Sequence, residues 1–428
     1  MPSQNKANLS SERTVVLHAV TSSMSLRLLR GQLRYLHEAG FEPAVLCSPG
    51  QEVGDAHLRE SVPVFTIPIE REISPLRDLI SLLRIWRLMC RLRPAICNVG
   101  TPKAGLLAGL AAWLGRVPCR VYTLRGLRLE TAVGMKRRIL DFTEWVACAC
   151  AHRVICVSPS LRQRAVELGL VRAEKAIVLG SGSSNGVDLS RFAPTPDRIT
   201  EAAAIHRRLH LETSCAVIGY VGRLTRDKGL PELLRAFQRV KESYPNALLM
   251  LVGGYEGGDQ VPDETREAIE SDPQVIRIDF TPDIAPYYLA MDIFVLPTRR
   301  EGFPNTVLEA QAAGKPVITT EATGAVDSVL NNITGLLVPV GDVAELARAL
   351  EQLLADPSLG VRFGKAGQER VSREFAQERI WSALADEYES MARSAGLQVL
   401  KKKLPSAVQT MVECAIDGEP EKGNAQFE

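Results

Sequence analysis

Short, continuous apolar runs recur along the chain, each bounded by Gly, Pro or small polar residues. In the first half they fall at residues 14–20, 43–47, 62–67, 95–99, 120–123 and 153–157. Runs of this type read as strands buried on both faces, as in a parallel sheet. Between them lie stretches with helical spacing at 24–39, 75–92, 104–114 and 136–152. Thr21, Ser22 and Ser23 stand where they can cap the first helix, and Gly40 is its natural stop. A second alternating set begins at 216–220 and continues through 247–252, 275–278, 293–296, 317–319 and 335–338. The alternation predicts an α/β protein with two Rossmann-like, doubly wound parallel sheets. The expected divisions are a disordered N-terminus (1–12), a first domain (13–192) and a second domain (193–372). A helix returning to the first domain (373–395) and a flexible tail (396–428) complete them.

Composition narrows the class. A chain of 428 residues exceeds one ordinary core, which favours two domains. Lysines and arginines number 51 against 50 carboxylates, so no global charge argues for nucleic acid. The nine cysteines are scattered without a C-x-x-C pair and read as reduced thiols. No cluster has metal-ligand spacing, and no essential metal or cofactor is expected. The first residues are polar and carry no apolar signal-like region. The longest uncharged apolar run, 104–115, falls short of the ~18–20 residues of a spanning helix. The expectation is a cytoplasmic protein, soluble or peripheral at a membrane.

The most informative stretch is 300–318, which holds two carboxylates, Glu301 and Glu309, in an E-x7-E spacing. Glu301 falls in a Gly-Phe-Pro turn after the apolar run 293–296, and Glu309 in the helix that follows. A loop at the carboxyl end of a strand is where open α/β sheets bind ligands. Two carboxylates about two turns apart can accept hydrogen bonds from two sets of hydroxyls. A nucleotide-sugar has such sets, on the sugar and on the ribose.

This segment resembles the E-x7-E motif of the family 4 retaining glycosyltransferases. Residues 219–229 (Gly-Tyr-Val-Gly-Arg-Leu-Thr-Arg-Asp-Lys-Gly) resemble the strand–turn with which that family holds the donor diphosphate. Residues 181–192 resemble its Gly-Val-Asp-x-x-x-Phe junction. Three motifs in order, over about 15–391, make the resemblance specific. It implies the GT-B arrangement, two Rossmann-like domains facing a cleft, and transfer of a hexose-type sugar from a nucleotide-sugar donor, UDP-linked. By its look the chain is closest to members that build bacterial capsule, exopolysaccharide or O-antigen. That implies a polyprenyl-diphosphate-linked sugar acceptor.

The residues suit this chemistry. A departing diphosphate gathers negative charge, and fixed cations in a water-poor cleft stabilise it. Arg223 offers a planar fork and Lys228 a mobile point charge. Glu301 is expected at the transferred sugar, and Glu309 at the ribose. The backbone N–H groups of Gly302 and Phe303 fall at a helix start, Pro304 suits its first turn, and Asn305 follows. By resemblance the turn with Phe280 and Thr281 lies near the base. In the first domain Thr21, Ser22 and Ser23 replace the family's two glycines and either bind phosphate or acceptor or merely cap. Arg125, before Gly126, stands where the family often has a His. It either takes over the sugar contact or binds an acceptor phosphate. His18 reads as a buried structural residue.

The stretch 77–153 is rich in cations, among them Arg84, Arg87, Arg91, Lys136, Arg137 and Arg138, interleaved with Leu82, Leu83, Ile85 and Trp86. Such a surface suits an anionic membrane. Two rivals remain: an epimerase of the same fold acting on a UDP-sugar, and a non-catalytic sugar-nucleotide-binding assembly subunit. The epimerase needs acid and base groups that the sequence does not display. The subunit would be favoured by loss of Arg223, Lys228 or Glu309, and all are present.

Overall fold

The computed structural model describes residues 14–70, 74–209, 211, 215–256 and 259–397. The expected disordered N-terminus, and all but the first two residues of the expected tail, lie outside the described residues.

The first half builds seven strands: β1 (Thr14–Ala19), β2 (Phe41–Cys47), β3 (Val64–Thr66), β4 (Ile96–Val99), β5 (Cys119–Leu124), β6 (Arg153–Cys156) and β7 (Ala176–Ile177). Between them run α1 (Gln32–Glu38), α2 (Glu52–Glu60), α3 (Pro75–Leu92), α4 (Pro102–Leu114), α5 (Gly134–Cys150) and α6 (Pro159–Glu167). A connecting segment carries α7 (Leu189–Phe192) and α8 (Pro196–Arg208). The second half has β8 (Val217–Val221), β9 (Leu248–Val252), β10 (Val275–Ile278), β11 (Ile293–Leu296), β12 (Val317–Thr320) and β13 (Gly335–Val338). Its helices are α9 (Leu230–Ser243), α10 (Asp263–Ser271), α11 (Ala285–Leu289), α12 (Asn305–Ala312) and α13 (Val343–Ala355). The chain then continues through α14 (Pro357–Glu374) and α15 (Gln377–Ser394).

Both sheets are parallel, in the orders β3-β2-β1-β4-β5-β6-β7 and β10-β9-β8-β11-β12-β13. Each order reverses direction once, between β1 and β4 and between β8 and β11. A crevice opens outside the strand ends at such a switch point. Every residue of β8, β11 and β12 is buried, whereas the edge strands β3 and β10 are only partly so. Two Rossmann-like sheets are therefore present, as the alternating runs predicted.

α15 leaves the second half and packs on the first. Tyr388 is fully buried, stacks edge-on with Phe41, and accepts a 2.6 Å hydrogen bond from Asn98 Nδ2. Trp381 packs against Tyr35, with ring centroids 5.6 Å apart.

Three departures from the expected elements have local causes. The helix expected over 24–39 is broken: a 3-10 turn (Ser23–Leu29) precedes α1, and Gly31 between them has φ +79°. A Cβ on Gly31 would lie 2.6 Å from the Trp381 ring, so α15 fixes the break. The stretch between the two sets of apolar runs, for which no element was expected, contains α8, opened by Thr195, whose hydroxyl accepts from Arg198 N–H at 3.4 Å, and by Pro196 in the first turn. The short polar helices α2 and α6 were not anticipated, because their apolar stripes are narrow.

Candidate functional site

The second sheet places its charged residues around its own switch point. After β8 the chain turns through Arg223 into a 3-10 turn, Arg226–Lys228, and enters α9 at Gly229. Tyr220 OH donates to Arg223 O at 2.7 Å and fixes the turn. Gly229 has φ +77°, and a Cβ there would lie 1.9 Å from Pro297 O, so the close approach of the two strand ends requires glycine. After β11 comes the turn carrying Glu301, followed by α12.

Lys228 Nζ and Glu301 Oε1 form an ion pair across this crevice, with side chains 12% and 16% exposed. Arg223, half exposed, pairs with Glu256 in the turn after β9. Burial works against the Arg223 charge, but Glu256, Asp227 and Glu301 outweigh it and hold its pKa above the ordinary arginine value. Residues 257 and 258 of this glycine-rich turn lie outside the described residues.

Two residues to which the sequence reading gave no role organise the crevice. Asp227, buried, accepts from Thr225 Oγ1 at 2.6 Å and from Arg300 Nη2 at 2.8 Å. Burial alone would raise its pKa; the Thr225 hydrogen bond and the charges of Lys228, Arg300 and Arg223 bring it below the ordinary carboxylate value. Arg300 also reaches the first half, where its Nε donates to Thr131 Oγ1 at 2.9 Å. Their signal was the alternation of charges within the two motifs.

Glu309 lies on α12 and is half-buried. Tyr288 OH donates to its Oε2 at 2.7 Å. Burial raises its pKa, against the pull of Tyr288 and Arg191. Pro304 is the residue before α12 rather than within its first turn. Phe303 turns into the core against Phe375, so only its backbone is available. Asn305 Oδ1 is 3.4 Å from Ser183 Oγ. Gly302 rests against the Arg125 carbonyl, so the strand ends of the two sheets touch here. Phe280 is 62% exposed, with the Arg27 guanidinium 4.9 Å over its ring, and Thr281 Oγ1 donates to Asp283 O at 3.4 Å.

In the first half the hydroxyls do not cap the helix that follows them. Thr21 Oγ1 lies 2.7 Å from Thr101 Oγ1 and accepts from Ala104 N–H at 3.2 Å, at the start of α4. Ser22 Oγ bonds Ser25 Oγ at 3.2 Å without capping, and Ser23 is buried beside Gly50. The reason is that the segment opens as a 3-10 turn. Arg125 points into its own domain: Nη1 donates to Gly100 O at 2.5 Å, and Tyr388 and Tyr122 lie close. Its backbone and that of Gly126, not the guanidinium, meet Gly302. His18 is buried, and desolvation, with the Arg125 charge, lowers its pKa to about 3, so it is neutral. No group of metal-ligating side chains occurs among the described residues.

Two parallel Rossmann-like sheets with their switch points facing each other, the second carrying charged turns, have the GT-B arrangement. The matches to known proteins agree. Residues 202–370 match the family "Glycosyl transferases group 1", and residues 27–182 match "Glycosyl transferase 4-like domain". The chain is 36% identical to the capsular polysaccharide biosynthesis glycosyltransferase CapM of Staphylococcus aureus, over 89% of this chain and 98% of that one. It is 27% identical to an Escherichia coli UDP-Gal:alpha-D-GlcNAc-diphosphoundecaprenol alpha-1,3-galactosyltransferase, over 75% and 82% of the two chains. Among solved structures, Anabaena HepE in complex with UDP-glucose superposes with a TM-score of 0.74 at 20% identity, covering 88% of this chain and 99% of that one. The chain belongs to the family 4 glycosyltransferases of GT-B fold.

Proposed function

We propose that this protein is a retaining, metal-independent glycosyltransferase. It moves a hexose-type sugar from a UDP-linked donor to a lipid-linked sugar in cell-surface polysaccharide synthesis. The observation that carries the reading is the Lys228–Glu301 pair at the switch point of the second sheet, flanked by Arg223 and Glu309. A diphosphate entering the crevice gives Lys228 and Arg223 stronger partners than Glu301 and Glu256. Glu301 is then released to face the sugar, where it accepts hydroxyl hydrogen bonds and balances positive charge at the anomeric carbon. Lys228 and Arg223 hold the negative charge that grows on the leaving diphosphate. Glu309 takes the ribose hydroxyls, with Tyr288 fixing its orientation. Gly302 and Phe303 offer backbone N–H groups next to α12. On this reading 13–192 is the acceptor-side domain, 193–372 the donor domain and 373–395 the returning helix.

The acceptor class is supported by the name of the Escherichia coli relative, which specifies a diphosphoundecaprenol-linked sugar. The surface of the first domain supports a membrane location at the cytoplasmic face. Leu76, Leu79, Ile80, Leu83 and Trp86 of α3, Trp113 and Leu114 of α4, and Met135, Ile139, Phe142 and Trp145 of α5 are exposed. α4 packs against both α3 and α5, so these residues fall on adjoining helices, with Arg84, Arg87 and Arg137 among them. So much exposed apolar surface marks an interaction face, and the interleaved cations suit anionic headgroups. No helix among the described residues is long and apolar enough to cross a membrane.

A panel of nucleotide-sugars tests the reading, measured as protection against thermal unfolding with chelator present. The UDP-linked donor should raise stability by a few kcal/mol at a large excess over its Kd. Protection by no nucleotide-sugar, or only after Mg²⁺ is added, would overturn the donor or the metal-free reading respectively.

A further inference from the structure

The turn that follows β12 is bonded to both halves of the molecule. Thr323 O accepts from the Glu301 backbone N–H at 3.0 Å. Its hydroxyl donates to Glu130 Oε1 of the first half at 2.9 Å. The next N–H, that of Gly324, donates at 2.8 Å to Ser160 Oγ in the first turn of α6. Gly324 has φ +77°, and a Cβ there would lie 2.2 Å from Gly302 O. Only glycine lets the turn lie this close to the peptide after Glu301. The backbone of Glu301 thus rests on a turn whose other side is tied to the first half.

The groups that tie it are themselves held. Ser160 Oγ donates to Asp327 Oδ2 at 2.5 Å while it accepts from Gly324, so both of its roles are taken. The same Oδ2 accepts from Ser160 N–H at 3.0 Å. A carboxylate of the second half therefore sits on the start of α6, where a helix leaves N–H groups unpaired. Arg370 of α14, buried, fixes this turn by donating to Asp327 O and to Ser328 O, each at 2.9 Å. Glu130 lies 3.5 Å from Arg164 of α6. Glu130 and Ser160 so converge on two consecutive residues from two elements of the first half.

The Glu301 carboxylate is meanwhile paired with Lys228. When a diphosphate takes Lys228, that pair is lost, and what then places the carboxylate is its backbone. We propose that Thr323, Ser160 and Glu130 are positioning residues for Glu301: through the Thr323–Gly324 turn, the first half sets where this carboxylate stands against the transferred sugar. The proposal rests on the reading that the donor is a UDP-hexose with its sugar at Glu301. Arg223 is held by Tyr220 and Glu256, and Lys228 by its own 3-10 turn, none of them through the Thr323–Gly324 turn. Loss of the relay is therefore felt by the sugar and not by the diphosphate.

Ser160→Ala and Thr323→Val each remove one hydroxyl, and Thr323→Ser keeps it. Ser160→Ala also leaves the Ser160 N–H on Asp327, so α6 keeps its start. Calorimetry compares, in each variant, the affinities for UDP and for the UDP-hexose that protects best in the panel above. Ser160→Ala and Thr323→Val should bind UDP within about twofold of the wild type and the UDP-hexose about three- to tenfold more weakly, the range of one net hydrogen bond. Thr323→Ser should match the wild type. Hydrogen exchange without any ligand reads the relay itself: the Glu301 amide should exchange faster in Ser160→Ala and Thr323→Val, with the strands of the second sheet unchanged. Equal loss for both ligands, an unchanged ratio of the two affinities, or Glu301 protection equal to the wild type's would overturn the proposal. Failure of the wild type to bind UDP or any UDP-hexose would take down the donor reading itself. That outcome is distinct from UDP bound with an unchanged ratio.

Discussion

After β8 and β11, at the switch point of the second sheet, the chain places charges that pair across the crevice, Lys228 with Glu301. After β1 and β4, the matching positions of the first sheet carry Thr21 and Thr101, two hydroxyls bonded to each other. Apart from β7 at one edge the strand order is the same, but the chemistry differs. The outer helices differ too. The second half keeps most of its large apolar side chains inside, whereas α3, α4 and α5 of the first expose Leu, Ile, Trp and Phe. One half thus carries charge in its crevice, and the other exposes apolar side chains on its outside. The fold supplies two equivalent crevices, and the few residues in the turns decide what each can hold.

The sharpest way to break this comparison is to remove charge from one crevice and a hydroxyl from the other. Lys228→Ala should weaken UDP binding by about 2–3 kcal/mol, since a charge-assisted contact in a largely buried site is lost. Thr21→Val should change it by less than about 0.5 kcal/mol, because the Thr21 hydroxyl is already engaged by Thr101 and Ala104. Calorimetry decides, and similar losses in both variants would dissolve the contrast.

The outer surfaces give the next largest effect. Phe142→Ser with Trp145→Ser should weaken co-sedimentation with anionic vesicles about tenfold, given ~25 cal/mol per Å² of apolar surface withdrawn from water. UDP binding should stay as in the wild type. Vesicle binding unaffected by the pair would leave the exposed face without a lipid partner.

A third difference, read through pH, concerns the inner side of α5, where Glu144 accepts a hydrogen bond from Tyr122 OH. Burial pushes its pKa up to about 7, against an ordinary 4.5. The folded state therefore holds this proton more tightly than the unfolded chain. The resulting stability is full below pH ~4.5 and is lost as pH rises through about 7, with a slope of at most about 1.4 kcal/mol per pH unit. Glu144→Gln should flatten the difference in melting temperature between pH 5 and pH 8. A profile as steep as the wild type's would place the titration elsewhere.

Much of this architecture was legible from local pattern. Continuous apolar runs marked most strands of both sheets, because a strand covered on both faces cannot alternate. The turns bearing Arg223, Lys228 and Glu301, and the helix bearing Glu309, were expected from their places after the apolar runs. The return of α15 was expected from resemblance alone, since nothing in its own periodicity says which half it covers. The break at Gly31 was illegible, because it depends on Trp381, far along the chain.

By itself, then, the sequence determined the alternation of elements, the class of sheet and the placing of charged residues in the turns after β8 and β11. These depend on periodicity and turn chemistry within a few residues. Only the tertiary structure decided what each polar group is free to do. It turned Arg125 inward onto Gly100, set Thr21 on Thr101, and gave Asp227 to Arg300. The physical reason is that a polar side chain's availability depends on which partners the fold brings within hydrogen-bond reach. Those partners lie tens to hundreds of residues away.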